Sequence, residues 1–147
     1  ELKNALTETV KLFEKNKAAT GNVLITTHFS PNIWIEMDPV DLRQVIWNLL
    51  LNAAEAIEGK GLVGIKTYHI KNNYAVIEIS DNGCGISDEH MQSIFDPFFT
   101  TKSRGTGLGL SIVHSILESY DTWLDVDSEV DRGTRFSFKL KRTDPPT

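Results

Sequence analysis

Apolar side chains recur at Leu2, Leu6, Val10 and Phe13 within ELKNALTETVKLFEKNK. That is the spacing of one face of a helix, and it predicts helix over residues 1 to about 17. The pattern runs out near Ala19–Gly21. Two short β-rich runs follow, VLITTHF and NIWIEM, parted by Ser30–Pro31–Asn32, and this break predicts a hairpin. Asp38–Pro39 then pairs an N-cap residue with proline at the first helical position, a strong helix start. The helix it opens carries DLRQVIWNLLLNAAEAIEGKG and is expected to stop at Gly59 or Gly61. Its apolar stripe is Leu42, Val45, Ile46, Leu49, Ala53, Ala56 and Ile57, at about 100° per residue.

The second half returns to strand period. GLVGIKTYHI and NYAVIEIS read as paired strands with Asn72–Asn73 at the tip. After DNGCGIS come a short helix from Ser87 to about Ile94, the loop DPFFTTKSRGT, and a long helix to about Tyr120. WLDVDSE and TRFSFKL close the pattern as strands, and residues 143–147 are expected to be a disordered tail. Helices gathered on one side of the strands predict an α+β fold, a two-layer sandwich.

Composition narrows the classes. At 147 residues the chain is most simply one domain with a real core. A net charge of −5 argues against a nucleic-acid or anionic-membrane surface, which needs a basic stripe. Cys84, the sole cysteine, excludes an internal disulfide and fits a reducing compartment. No apolar run approaches 18 residues, so no transmembrane segment is read. The start within a helical pattern is read as that of a fragment of a longer protein.

Three clusters carry candidate chemistry. Asn48, Asn52 and Glu55 fall together at the margin of the second helix's stripe, within roughly 60° of one another. Asparagine is a mediocre helix former, so the trio is either a polar border or a source of neutral oxygen for Mg²⁺. In AVIEISDNGCG, Ile77, Ile79 and Asp81 share one strand face. The strand therefore ends with a carboxylate aimed inward, which is costly without donors. An adenine amino group would supply one, whereas guanine would present a carbonyl. Thr134 has the inward phase of Phe136, Phe138 and Leu140 and can join Asp81 there. The alternative is a plain Asp/Gly turn.

The third cluster is FDPFFTTKSRGTGLGL, anchored by Phe95, Phe98 and Phe99. Lys102 and Arg104 are its only cations, just before the glycine-led helix start of GTGLGLSIV. Bare backbone N–H groups at a helix start suit an anion, and the two cations could meet a triphosphate's charge. The G-x-G-x-G spacing is neither a Rossmann fingerprint nor a Walker loop.

Taken in order, these stretches resemble the catalytic ATP-binding domain of bacterial sensor histidine kinases, in the superfamily with gyrase, Hsp90 and MutL. NLLLNAAEA resembles the N box, DNGCG the G1 box, FDPFFTTK the F box and GTGLGL the G2 box. The resemblance covers about Val23 to Leu140. It implies an α/β sandwich of about three helices over a mixed sheet of about five strands, binding ATP and Mg²⁺. Residues 1–20 would be the end of a dimerisation helix and a linker, 21–142 the catalytic domain, and 143–147 the tail. Asn52 matches the magnesium-binding asparagine. Asp81 matches the adenine-binding aspartate, with Gly83, Gly85 and Ile86 around the base and Thr134 beside it. Thr101, Lys102, Arg104, Gly105, Thr106, Gly107, Leu108, Gly109 and Leu110 would embrace the phosphates. Catalysis would rest on Asn48, Asn52 and Lys102.

Asn48 stands where relatives that activate a water, or serve as serine kinases, carry a glutamate base. An amide takes no proton near neutral pH, so the domain is expected to orient ATP while another domain brings a histidine. Two departures stand out. Glu55 and Ala56 replace a basic residue and an aromatic, leaving the phosphate contact to Lys102 or Arg104. The last helix ends in ESYDTW instead of glycines. None of His28, His69, His90 and His114 has the family's acceptor context. The expected partners are therefore ATP or ADP, a dimerisation and phosphoacceptor domain of the same full-length protein, and a response regulator. No nucleic acid and no membrane contact by this domain are expected, and its location is read as cytoplasmic. A regulatory module that only holds nucleotide, or a hydrolysing ATPase, is the alternative.

Overall fold

In the computed structural model, residues 1–16, 23–96 and 109–144 are described. Among them β1 (Val23–Phe29), β2 (Gly61–Ile70), β3 (Tyr74–Asp81), β4 (Asp125–Glu129) and β5 (Gly133–Lys141) form one sheet, ordered β1-β2-β3-β5-β4. β1 is parallel to β2 and the other pairs are antiparallel. The helices are α1 (Leu2–Lys15), α2 (Pro39–Glu55), the single turn α3 (Asp88–Met91) and α4 (Gly109–Ser119). Strand alternation sends Val63, Ile65, Ile77, Ile79, Phe136 and Phe138 to one face, where they meet the buried sides of α1, α2 and α4 in one core. The fold is the expected two-layer sandwich.

The expected hairpin of VLITTHF and NIWIEM is not formed. β1 pairs with β2 in parallel, and a parallel neighbour requires a crossover, which α2 supplies. The second run instead closes the bottom of the core. Ile35 bridges Arg142, Thr143 N–H donates to Trp34 O at 2.7 Å, and Leu2 N–H donates to Ile33 O at 2.9 Å. The hairpin between β2 and β3 is as read, with Asn72 and Asn73 at φ +67° and +65°.

α1, the helix read at the start of the chain, packs within the core of the domain. Leu2, Leu6, Val10 and Phe13 are buried, and Phe13 meets Trp47 of α2 edge-on at 5.0 Å. The opposite face of the sheet carries charges. There Glu78 is only 6% exposed, because Lys66 (3.1 Å) and Arg135 (3.7 Å) fold over it from the flanking strands. Alternation alone would have placed that carboxylate in water. Among the described residues no helix is long and apolar enough to cross a membrane.

α2 starts as read, with Asp38 Oδ1 accepting from Val40 N–H at 2.8 Å. It ends at Glu55, before Gly59, because the next carbonyl, that of Ala56, is taken by Cys84 N–H at 2.9 Å. α4 needs no glycine to stop. Asp121 takes the left-handed conformation (φ +57°), while Thr122 N–H reaches Leu117 O and Asp121 N–H reaches Glu118 O, both at 3.1 Å. These are the two bonds of a Schellman cap. Tyr120 then ties the helices together: its hydroxyl donates to Asp41 Oδ2 at 2.7 Å and accepts from Asp38 N–H at 3.1 Å.

Asp121→Gly should therefore raise stability by about 0.5–1 kcal/mol, since glycine adopts the left-handed cap at less steric cost; chemical denaturation measures it. The hydrogen bond to Asp41 also raises the Tyr120 pKa above its ordinary value of 10.0. The tie is thus fully present below about pH 10 and is lost as pH rises through the raised value. Tyr120→Phe should lower Tm at neutral pH, and the gap from wild type should close in melts at more alkaline pH.

Candidate nucleotide site

The site is built around the turn that follows β3. Ile77 and Ile79 set the inward phase, and Asp81 at the strand end follows it, 9% exposed. Asp81 Oδ1 accepts from Gly83 N–H at 2.8 Å. Asn82 has the opposite phase and turns to the sheet, where its Oδ1 accepts from Leu62 N–H at 2.9 Å. Thr134, buried, lies directly opposite Asp81 on β5. Side chains so paired have Cβ atoms about 5 Å apart, so a carboxylate and a hydroxyl sit side by side on the inner face. The sequence placed both correctly.

Two glycines of the turn are required by their neighbours. A Cβ on Gly83 would overlap the carbonyl of Ala56 at the end of α2. Gly85 has φ +74°, and a Cβ there would overlap the carbonyl of Glu129. Between them, Cys84 N–H donates to Ala56 O and Asp131 N–H donates to Cys84 O, both at 2.9 Å. The turn is thus pinned between α2 and the β4–β5 connection. Cys84's side chain is exposed.

Sequence reasoning overlooked Ser128. Its hydroxyl accepts from Ile86 N–H at 2.7 Å, contacts Thr134 Oγ1 at 2.8 Å and donates to Gly133 O at 3.0 Å. The signal was available: Val126 and Ser128 share an inward phase and face Phe136 and Thr134.

Asn48, Asn52 and Glu55 are all half-buried on α2. Asn52 O accepts from Ala56 N–H at 3.1 Å, one step from the Ala56–Cys84 bond, so the N-box helix and the Asp81 turn are joined directly. Eleven residues separate Asp41 from Asn52 and eleven separate Tyr120 from Gly109, about 16 Å of helix each way. Since Tyr120 is bonded to Asp41 and α2 packs on α4, the helices run antiparallel and α4 begins level with Asn52. Among the described residues a Cβ on Gly109 would meet nothing, and Leu110 packs against the core. Phe95 is the anchor expected of it, packed on the core and on the His114 ring at 5.2 Å.

Thr101, Lys102, Arg104, Gly105, Thr106, Gly107 and Leu108 lie outside the described residues, as do Phe98 and Phe99. His28 and His69 are on strands, His90 on α3 and His114 on α4, where the sequence put them. A groove lined by Leu2, Trp34, Met37 and Leu42 lies at the other end of α2.

A buried acid at a strand end, glycines against a helix terminus and an asparagine-bearing helix beside them are the arrangement of a nucleotide-binding sandwich. Residues 37–144 match the family described as histidine kinase-, DNA gyrase B- and HSP90-like ATPase. The chain belongs to that family, and the resemblance to the catalytic ATP-binding domain of sensor histidine kinases stands. It is 33% identical over 140 residues to the sensor histidine kinase ZraS of Klebsiella oxytoca, covering 95% of this chain and 30% of that protein. Over 126 residues it is 36% identical to the signal transduction histidine-protein kinase AtoS of Escherichia coli (strain K12), covering 82% of this chain and 21% of that one. The chain thus spans less than a third of these relatives' length. The catalytic domain of histidine kinase ThkA superposes with TM-score 0.84 at 30% identity, over 97% of this chain and 93% of that one. Full-length ShkA in complex with AMPPNP gives TM-score 0.85 at 25% identity, over 100% of this chain and 31% of that one.

Proposed function

We propose that this chain is the ATP-binding catalytic domain of a two-component sensor histidine kinase. It would hold Mg-ATP for transfer of the γ-phosphate to a histidine on a dimerisation domain, and a response regulator would take the phosphate onward. The observation that carries the reading is the buried Asp81 carboxylate facing Thr134. A carboxylate held there presents acceptor oxygens beside Thr134, and the adenine amino group is a donor that suits them. ShkA, of the same fold, is a complex with AMPPNP.

The donors present suit magnesium held chiefly by the nucleotide. Among the described residues no three His, Cys, Asp or Glu side chains converge as a metal cage. Asn52 offers one neutral oxygen, as an ion that keeps phosphates and waters in its shell can use. That ion would offset charge on the phosphates. The residues' own work is then positional. Asp81, with Gly83, Gly85, Ile86 and Thr134, would seat the base. Asn48 and Asn52 would orient the phosphate end, with Thr101, Lys102, Arg104 and the glycine-rich stretch from Gly105 to Leu110 gripping the phosphates. Asn48 cannot accept a proton near neutral pH, which favours transfer to an imidazole, nucleophilic when neutral, over water activation. Residues 1–20 would lead from the dimerisation domain, and the location would be cytoplasmic.

Mg-ATP should stabilise the chain by about 2.7 kcal/mol at a hundredfold excess over Kd, and Asn52→Ala should shrink that shift without unfolding the protein. Asp81→Asn should weaken ATP roughly ten- to a hundredfold. Gly83 N–H holds the oxygen in place, so the new NH₂ would face the base's own donor. Calorimetric titration decides, and unaltered ATP binding by Asp81→Asn would remove the base from this turn.

The isolated chain should label none of its four histidines with radioactive ATP. It should phosphorylate a separately supplied dimerisation domain from its full-length protein, giving an acid-labile, alkali-stable product. ATP binding without any such transfer would favour the regulatory module.

A further inference from the structure

Ser128 does work that contact with a nucleotide would not reveal. A serine hydroxyl has one proton and two lone pairs, and three groups converge on this one. Ile86 N–H, at 2.7 Å, can only donate, so it occupies one lone pair. Gly133 O, at 3.0 Å, can only accept, so it takes the proton. The remaining lone pair faces Thr134 Oγ1 at 2.8 Å. All three contacts are satisfied together in one way only, with Thr134 donating its proton to Ser128. Thr134 then shows lone pairs, and no proton, to the space beside Asp81.

We infer that Ser128 is a positioning residue for nucleotide choice: by holding Thr134 as an acceptor, it makes the base site favour an amino group and refuse a carbonyl. The inference rests on the proposed ATP site and adds to it a residue placed behind the base. Asp81 supplies acceptor oxygens, one engaged by Gly83 N–H. With Thr134 aligned the same way, the amino group of adenine meets acceptors, directly or through a water. The carbonyl of hypoxanthine or guanine meets the same lone pairs and leaves them unpaired, which is costly in a buried site. Without Ser128, Thr134 could rotate and offer its proton to that carbonyl, and discrimination would fall.

The test is calorimetric titration of the intact chain with the magnesium complexes of ATP and inosine triphosphate, in which a carbonyl and an N1 proton replace the 6-amino group and bare N1 of adenine. Wild type should prefer ATP. Ser128→Ala should narrow the ATP-to-inosine ratio roughly tenfold, Ser128→Thr should preserve it, and in a Thr134→Val background Ser128→Ala should leave it unchanged. Equal weakening of both nucleotides at a constant ratio would reduce Ser128 to a structural role and overturn the inference. Should Ser128→Ala fail to fold, Thr134→Val alone decides. It must narrow the ratio, and an unchanged ratio sinks the idea. Failure of wild type to bind ATP removes the nucleotide site itself, whereas ATP binding without these ratio changes removes only the role of Ser128.

Discussion

Two hydrogen bonds on one residue hold the site together. Cys84 donates its N–H to the last turn of α2 and accepts from Asp131 in the β4–β5 connection. Side chains at 83 and 85 would force those backbones apart. The turn they pin starts at Asp81, so the placement of the carboxylate depends on main-chain contacts among three distant parts of the sequence. A side-chain contact can repack around a substitution. A carbonyl pressed against a glycine Cα has no such latitude, and this explains why glycines flank a cysteine that itself faces solvent.

The two helices nearest the site are aligned from their far ends. Tyr120 joins the end of α4 to the start of α2, and the equal spans from Asp41 to Asn52 and from Tyr120 back to Gly109 bring Gly109 level with Asn52. Any phosphate gripped at the start of α4 and any magnesium held by Asn52 are thereby kept in one neighbourhood. The Schellman cap at Asp121 serves the same end, since it turns the chain so that Thr122 Oγ1 can donate to Lys139 O at 2.7 Å. The helix is thus fixed to the sheet at its exit.

The sheet divides its work by face. Its inner side supplies the core and, at one end, the polar cluster of Asp81, Thr134 and Ser128. Its outer side carries the Lys66–Glu78–Arg135–Asp127 ladder. Cross-strand ion pairs of this kind contribute modestly, but they account for a buried glutamate on the face opposite α1, α2 and α4.

Periodicity alone determined most of the elements, because α2, β2, β3 and β5 each bury one face, and burial imprints its period on the sequence. It also determined that Asp81 and Thr134 point inward, since strand phase is set by the apolar neighbours on either side. The partner of β1 was decided only in three dimensions. VLITTHF has the same pattern whether the next strand lies parallel or antiparallel, so the hairpin reading had no local feature to refuse it. The early end of α2 was likewise decided by Cys84, distant in sequence. So was the burial of Glu78, whose covering cations come from other strands. Asp121 shows the same limit at a helix end, where an aspartate does a glycine's work because the bonds from its cap reach back to carbonyls correctly placed. What the sequence could not express is a hydrogen bond between backbones, for that bond carries no side-chain signature.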